Sequence, residues 1–298
     1  MFQKATRKKA KLRLAISGPS GSGKTYGALQ IAAGLGERIA VIDTERGSAS
    51  LYAPVTDFDV LELDPPYSPE RFIEAIRGAE QAGYGTLIID SATHEWNGIG
   101  GCLEMVDQYA TAKFKGNTWS AWNEVTPRHR AFVDAMLRSP MHVIVTMRSK
   151  TETAQVEEGG KKKVVKLGMK AEQRDGIEYE FTVVLDLTHD GHYALASKDR
   201  TRLFADPEII TSRTGARLLA WLETGEEAEA AHSKKVREYI EAAGIAPDSP
   251  ALQALFSEAQ AYCKARNDRV SHDRIKDAVK ARLAEVNKTP ETPEGAAA

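Results

Sequence analysis

Cysteine is almost missing: Cys102 and Cys263 are the only two in 298 residues. That excludes a disulfide framework and a cysteine-rich zinc module, and it suits a reducing cytosol, so a cytoplasmic location is expected. No stretch approaches 18 consecutive apolar residues, so no membrane-crossing helix and no membrane partner are expected. No apolar core follows the basic N-terminus, which argues against a secretory signal. Neither charge dominates: 40 Lys and Arg against 42 Asp and Glu leave a net charge of −2. Any nucleic-acid binding must therefore come from local patches, not from bulk charge. No internal repeat is visible. What is present is ordinary for a globular protein, with 42% hydrophobic and 28% charged residues. The chain is long enough to bury a core without staples.

The pattern divides the chain into four parts. Residues 1–11 form a basic leader with Lys4, Arg7, Lys8, Lys9 and Lys11, and Arg13 follows closely; no acid interrupts them. They read either as a solvated terminus or as a phosphate-contacting arm. Residues 12–224 alternate strand and helix. Strands are expected over 12–17, 39–43, 60–63, 86–90 and 142–147, with helices over 24–35 and from Ser68 to about Ala82. A mixed loop and helical region fills 93–139. Two short runs, 183–187 and 193–196, flank the turn signal His189-Asp190-Gly191, and a helix over 207–223 closes the region. The fold class implied is α/β, a mostly parallel sheet with an antiparallel edge. Residues 225–287 turn rich in Ala, Glu, Lys and Arg and read as three helices: 228–243 stopped by Gly244, 250–266, and 272–286 capped by Ser271. Residues 288–298 read as a disordered tail.

Gly18-Pro19-Ser20-Gly21-Ser22-Gly23-Lys24-Thr25 matches the P-loop pattern without a gap and lies between a predicted strand and a predicted helix. Glycines let main-chain N–H groups converge on phosphate oxygens, and the helix N-terminus favours the anion. Lys24 would reach the outer phosphates and Thr25 would ligate Mg²⁺. Tyr26, the next residue, is grouped with the nucleotide-binding loop. Leu87-Ile88-Ile89-Asp90-Ser91 has the form of a Walker B strand, with Asp90 placed to hold Mg²⁺ through water. ATP and Mg²⁺ are thus the expected ligands.

Ile39-Ala40-Val41-Ile42-Asp43-Thr44-Glu45 puts an acid just past the second strand, and Tyr52 follows it by seven positions. With the Asp-Ser end of the Walker B strand, these residues resemble the RecA-like ATPases. The resemblance implies that Glu45 is the catalytic acid and that Tyr52 stacks on adenine; Glu95 competes for the role of general base. The strand 142–147 ends in Thr146, Met147 and Arg148 where that family usually keeps a polar sensor. The resemblance also makes the long basic stretch 148–170 a second DNA-binding loop. It carries Arg148, Lys150, Lys161, Lys162, Lys163, Lys166 and Lys170, with Gly159-Gly160 as a flexible tip, and the region of Lys113, Phe114, Lys115 and Trp119 would be the first such loop. Basic loops with nearby aromatics suit single-stranded nucleic acid. Lys198 and Arg200, at the end of a strand, resemble fingers that reach a neighbouring subunit's ATP, which implies a ring or filament of identical chains.

Residues 12–224, with the run 173–181, are most similar to phage-encoded, core-only RecA-like ATPases, several of which are single-strand-annealing recombination proteins of the Sak-four type. The leading expectation is a Mg-dependent ATPase that binds single-stranded DNA and promotes annealing. A RecA-like motor, a nucleotide kinase and a non-hydrolysing adaptor are the alternatives. The C-terminal helices lie outside the resemblance and would dock a partner such as a single-strand-binding protein.

Overall fold

The computed structural model of the chain describes residues 9–158, 161–224, 228–266 and 268–287, and the side chains of these apart from 151–168 and 228–233. Most of the expected leader, the Gly159-Gly160 tip and the expected tail lie outside the described residues. The side chains of Lys161, Lys162, Lys163 and Lys166 do too.

Ala10–Thr224 is one compact unit, and the residues from Gly225 onward belong to a second. The first begins with β1 (Arg13–Gly18), α1 (Lys24–Leu35), β2 (Ile39–Asp43), β3 (Asp59–Glu62), α2 (Pro69–Gln81) and β4 (Thr86–Asp90). Three helices follow, α3 (Thr93–Asn97), α4 (Cys102–Lys113) and α5 (Thr118–Arg138), then a long β5 (His142–Glu158) and β6 (Lys161–Ala171). The unit closes with β7 (Val183–Leu187), β8 (Tyr193–Asp199), β9 (Glu208–Ile209) and α6 (Ser212–Glu223). The sheet runs β3-β2-β4-β5-β1-β7-β8-β9, with β6 paired to β5 off this path. β3 through β7 are parallel neighbours along that order, and β8 and β9 add the antiparallel edge.

Alternation along each strand divides the core into two layers. Leu14, Ile16, Val41, Ile88 and Ile144 meet α1 and α6 on one face. Ala15, Ile42, Leu87, Val143 and Val145 meet α2 and α5 on the other. Central parallel strands are covered on both faces, which is why β1, β2 and β4 carry the apolar runs Leu14–Ile16, Ile39–Ile42 and Leu87–Ile89. The register also buries Arg13, whose guanidinium donates to the carbonyls of Leu12, Leu137 and Met141 and is not a free leader cation. Burial lowers its pKa to about 10.

α1, the helix behind the P-loop, packs on α6 through backbone. A Cβ on Gly215 would lie 2.1 Å from the Ile31 carbonyl oxygen, and one on Gly34 would lie 2.0 Å from that of Ser212. Neither neighbour is a flexible side chain, so the helices would have to separate. Gly215→Ala is expected to cost about 3 kcal/mol, the upper part of the overpacking range, and to lower Tm by roughly 6–12 °C in a unit of this size. Differential scanning calorimetry checks this, and an unchanged Tm would remove the contact as a constraint.

Several expectations are corrected. The stretch 148–170 is not a loop but an antiparallel ribbon, in which Ser149 to Glu158 pair with Lys161 to Ala171. The region 93–139 is a helical excursion, and the Lys113–Trp119 stretch is the tip between α4 and α5 rather than an open loop. The closing helix starts at Ser212, since Glu208–Ile209 pair with β8 and Thr211 and Thr214 form a capping box.

In the second unit, α7 (Ala228–Ile245) runs through Gly244. α8 (Ser249–Lys264) and α9 (Arg269–Val286) are capped by the side chains of Asp248 and Asp268, so Asp268 and not Ser271 starts the last helix. Val236, Tyr239, Ala259, Cys263 and Ile275 form a core shared by the three helices.

Candidate nucleotide site

β1 ends at Gly18, and the loop reaches α1 through Gly23, whose φ of +88° places it in the left-handed region that favours glycine. A Cβ on Gly18 would lie 2.5 Å from Ser22 Oγ. The loop therefore closes tightly and leads main-chain N–H groups to a helix N-terminus, an arrangement suited to anions. Ser22 Oγ is buried and has no hydrogen-bond partner among the described residues. Lys24 Nζ folds across the loop to the Pro19 carbonyl at 2.9 Å. Burial lowers its pKa, against the attraction of Asp90 and Glu45. Within the loop, Pro19, Ser20 and Gly21 supply backbone, and Thr25 supplies a hydroxyl.

That hydroxyl donates to Asp90 Oδ2 at 2.6 Å, and Thr146 Oγ1 donates to Asp90 Oδ1. Both contacts follow from strand order: β5 lies between β1 and β4, so its tip stands between the P-loop and the Walker B acid. Burial raises the Asp90 carboxyl, and the two hydroxyls oppose that. The Thr25 hydroxyl and the Asp90 carboxylate are hard oxygen donors side by side, which fits Mg²⁺.

Glu45 stands in the turn after β2. Asp43 builds that turn, accepting from the N–H of Glu45 at 2.6 Å and of Ala49 at 2.9 Å. Glu45 Oε1 accepts from Ser91 Oγ at 3.3 Å and from Arg148 Nε at 2.9 Å, while a second guanidinium nitrogen donates to Oε2. Burial acts to raise the Glu45 carboxyl, but the hydrogen bonds and charge of Arg148 outweigh it and hold the group below its ordinary value. Thr44 accepts from the Ser91 N–H at 2.8 Å, and His94 Nδ1 lies 2.7 Å from the Thr44 hydroxyl. Thr44, Glu45, His94 and Arg148 share an open cleft of about 590 Å³ with Tyr67 and Asn97.

Glu95 is elsewhere in its chemistry. It is fully buried, and its oxygens meet His129 Nδ1, Cys102 Sγ and Gln173 Nε2. It has no exposed atom to offer a water.

Tyr52 ends a 3₁₀ turn (Ser48–Tyr52) and packs against the core. Its ring meets that of Tyr26 edge-on with centroids 6.2 Å apart, and Tyr26 is the more exposed of the pair. Lys113 pairs with Glu124 at 3.5 Å and lies over the Tyr109 ring, Lys115 sits in the turn that follows α4, and Trp119 is 86% exposed. Lys150 pairs with Glu172 at the root of the ribbon.

Lys198 and Arg200 are not brought to the chain's own P-loop. Lys198 lies opposite Val184 on β7, and the Arg200 N–H donates to the Thr182 carbonyl, level with Arg13 at the start of β1. The P-loop begins five residues further along that strand, roughly 17 Å away at the rise of a strand. Lys198 Nζ donates to the carbonyls of Glu178 and Tyr179, and Arg200 reaches the Tyr179 carbonyl at 3.4 Å.

Two histidines escaped the sequence reading. His189 and His192 belong to the β7–β8 turn, whose sequence announces only a turn. His192 Nδ1 lies 3.2 Å from the Ser22 carbonyl, and a Cβ on Gly21 would lie 3.7 Å from His189 Nε2. Their approach to the loop depends on β7 pairing with β1, which no local pattern announces.

No curated protein matches the chain. Residues 10–215 match the AAA_24 family, described as an AAA domain. The match spans the whole α/β unit up to α6 and takes in the P-loop, Asp90 and Glu45. A parallel sheet that carries a tight glycine loop at the tip of one strand, with an acid two strands away beside it, is how such a domain binds nucleotide, and the chain belongs to this AAA-domain family of P-loop ATPases.

Proposed function

We propose that the chain is a Mg-dependent ATPase that binds single-stranded DNA along the β5–β6 ribbon and promotes annealing in recombination, as a homo-oligomer and in a phage setting. The observation that carries this reading is the continuity of β5. Its inner end reaches the nucleotide site, with Thr146 on Asp90 and Arg148 on Glu45, and its outer end is one strand of the basic ribbon. A change at the γ-phosphate can therefore reach the ribbon without passing through a loop.

The roles follow from position. The loop N–H groups and Lys24 hold the phosphates. Thr25 and Asp90 would hold Mg²⁺, which supplies charge neutralisation between the phosphates. Glu45, ionised at neutral pH, orients the attacking water and takes its proton once it parts from Arg148. Positioning and charge compensation carry most of phosphoryl transfer. Tyr26, in the first turn of α1, and Tyr52 beside it would face the base.

The ribbon supplies backbone contacts to DNA through Lys161, Lys162, Lys163 and Lys166, joined by Arg148 and Lys150 at its root. Lys113 and Lys115, with exposed Trp119 for stacking, add a second patch. Such binding depends on salt and tolerates any base sequence. Replacing Lys161, Lys162 and Lys163 by Ala should make the plot of log affinity against log salt shallower by about 2, from about 0.7 per lost single-strand phosphate contact. Single-stranded DNA should stimulate the ATPase of the wild type and not of the triple variant. Fluorescence anisotropy over a salt series reads the slope, and an unchanged slope would remove the ribbon from the DNA site. A DNA-unwinding assay separates annealing from a motor function that would use the same residues.

A further inference from the structure

Glu95, Cys102 and His129 come from three helices, α3, α4 and α5, and their buried side chains meet where these helices pack. His129 Nδ1 lies 3.0 and 3.2 Å from the two Glu95 oxygens, and Cys102 Sγ lies 3.1 Å from Oε1. Their donor atoms all fall within 4.8 Å of one another, the one such grouping of three among the described residues. Glu95 and Cys102 are fully buried and His129 is 4% exposed. None of these residues has a place in the ATPase chemistry described above.

We propose that this triad is a structural zinc site. A buried carboxylate needs a compensating positive charge, and of its hydrogen-bond partners His129, Cys102 and Gln173 only His129 could carry one; a bound cation would supply it instead. A divalent ion with a carboxylate, a thiolate and a neutral imidazole sums to zero. Binding releases the Cys102 thiol proton to solvent; His129 carries its single ring proton on Nε2 and offers Nδ1. Sulfur, imidazole and carboxylate together are a zinc donor set, and a site with no access to water is structural, not catalytic. Both Glu95 oxygens face His129, so two-oxygen ligation completes four donors. With zinc–donor bonds of about 2.0–2.3 Å, donors on different residues stand roughly 3.3–3.6 Å apart, so the contacts of Glu95 with His129 and Cys102 need to open by only a few tenths of an ångström, while the two Glu95 oxygens keep the fixed bite of their carboxylate.

A second layer is already in place. Gln173 Nε2 donates to Glu95 Oε2 at 3.3 Å and to the Ala92 carbonyl at 2.9 Å, and its Oε1 accepts from the Arg174 N–H at 2.7 Å. Outer contacts of this kind fix the orientation of a ligand. Gln173 follows β6, and Ala92 follows the Walker B strand. Zinc would thus tie the α3–α5 excursion to the segment that follows the ribbon.

The test uses the full chain with Cys263→Ser, which leaves Cys102 as the only thiol. Protein purified from zinc-supplemented growth should hold about one equivalent of zinc by elemental analysis. Exchange into cobalt(II) should give the thiolate charge-transfer band and the visible bands of a tetrahedral ion. Removing the metal with a strong chelator should lower Tm by roughly 5–10 °C, and zinc should restore it. Cys102→Ser should abolish the charge-transfer band, and its Tm should no longer respond to zinc. Protein without bound zinc, showing no cobalt band and a Tm indifferent to zinc, would overturn the proposal and leave the triad as a hydrogen-bonded His129–Glu95 pair.

Discussion

Glu45→Gln is expected to bind ATP about as tightly as the wild type and to hydrolyse it roughly 10²–10⁴ times more slowly, the span that general-base catalysis contributes. At 1.36 kcal/mol per factor of ten, that is about 2.7–5.4 kcal/mol of barrier. The substitution is nearly isosteric and leaves one oxygen to accept from Arg148, so the turn built on Asp43 should survive. Binding by fluorescent nucleotide and single-turnover hydrolysis separate the two effects. The pH profile adds an independent readout. Arg148 holds the Glu45 carboxyl below its ordinary value, so the base stays ionised through neutral pH, and kcat/KM should fall only when the pH drops below the usual carboxylate range. Arg148→Ala removes that support while burial still acts upward, so the acid limb should move to higher pH. Normal turnover by Glu45→Gln would end the assignment.

The second large effect concerns Arg200. Arg200→Ala should lower the ATPase rate by roughly 10³–10⁵, the worth of an arginine finger, although the residue lies at the far end of the sheet from its own P-loop. That distance keeps Arg200 from its own P-loop, so the expected loss rests on the proposed homo-oligomer, in which the finger would serve a neighbour's site. Lys24→Ala removes the phosphate-binding cation and should be inactive for a different reason. In a random mixture of the two variants, about a quarter of head-to-tail interfaces would join an intact P-loop to an intact finger. Activity should therefore reappear on mixing. Native mass spectrometry establishes that mixed assemblies form; silence in such samples would reject shared sites.

How much of this could be read from the chain depends on the range of the interactions. β2, β4 and β7 occupy the residues their largely apolar runs predicted, because a strand covered on both faces needs apolar side chains on both. The P-loop was legible because its chemistry is contiguous. The outer half of β5 was not: it is polar and charged, so it carries no apolar alternation, and only its pairing with β6 reveals it. Arg148 was visible as a cation, but its partnership with Glu45 spans 103 positions. Likewise Glu95 looked like a general base beside Asp90 in sequence, and only the packing of α4 and α5 shows that it faces inward. Lys198 and Arg200 stand out through their resemblance to the fingers of RecA-like ATPases, while their distance from the P-loop depends on the antiparallel register of β8.

β5 also has a mechanical meaning. From Ser149 to Glu158 it extends beyond the parallel sheet as one arm of the ribbon, about 33 Å of contour at the rise of a strand. A fulcrum for it would be the short segment where Thr146 touches Asp90 and Arg148 touches Glu45. A tilt of about 5° at the fulcrum would carry the far end through roughly 3 Å, close to one residue's rise. The ribbon would then act as a lever with a fixed gear ratio. Small rearrangements around Glu45 would become displacements on the scale of a nucleotide step, and shortening the ribbon by paired deletions would reduce that stroke in proportion while leaving the ATPase site untouched.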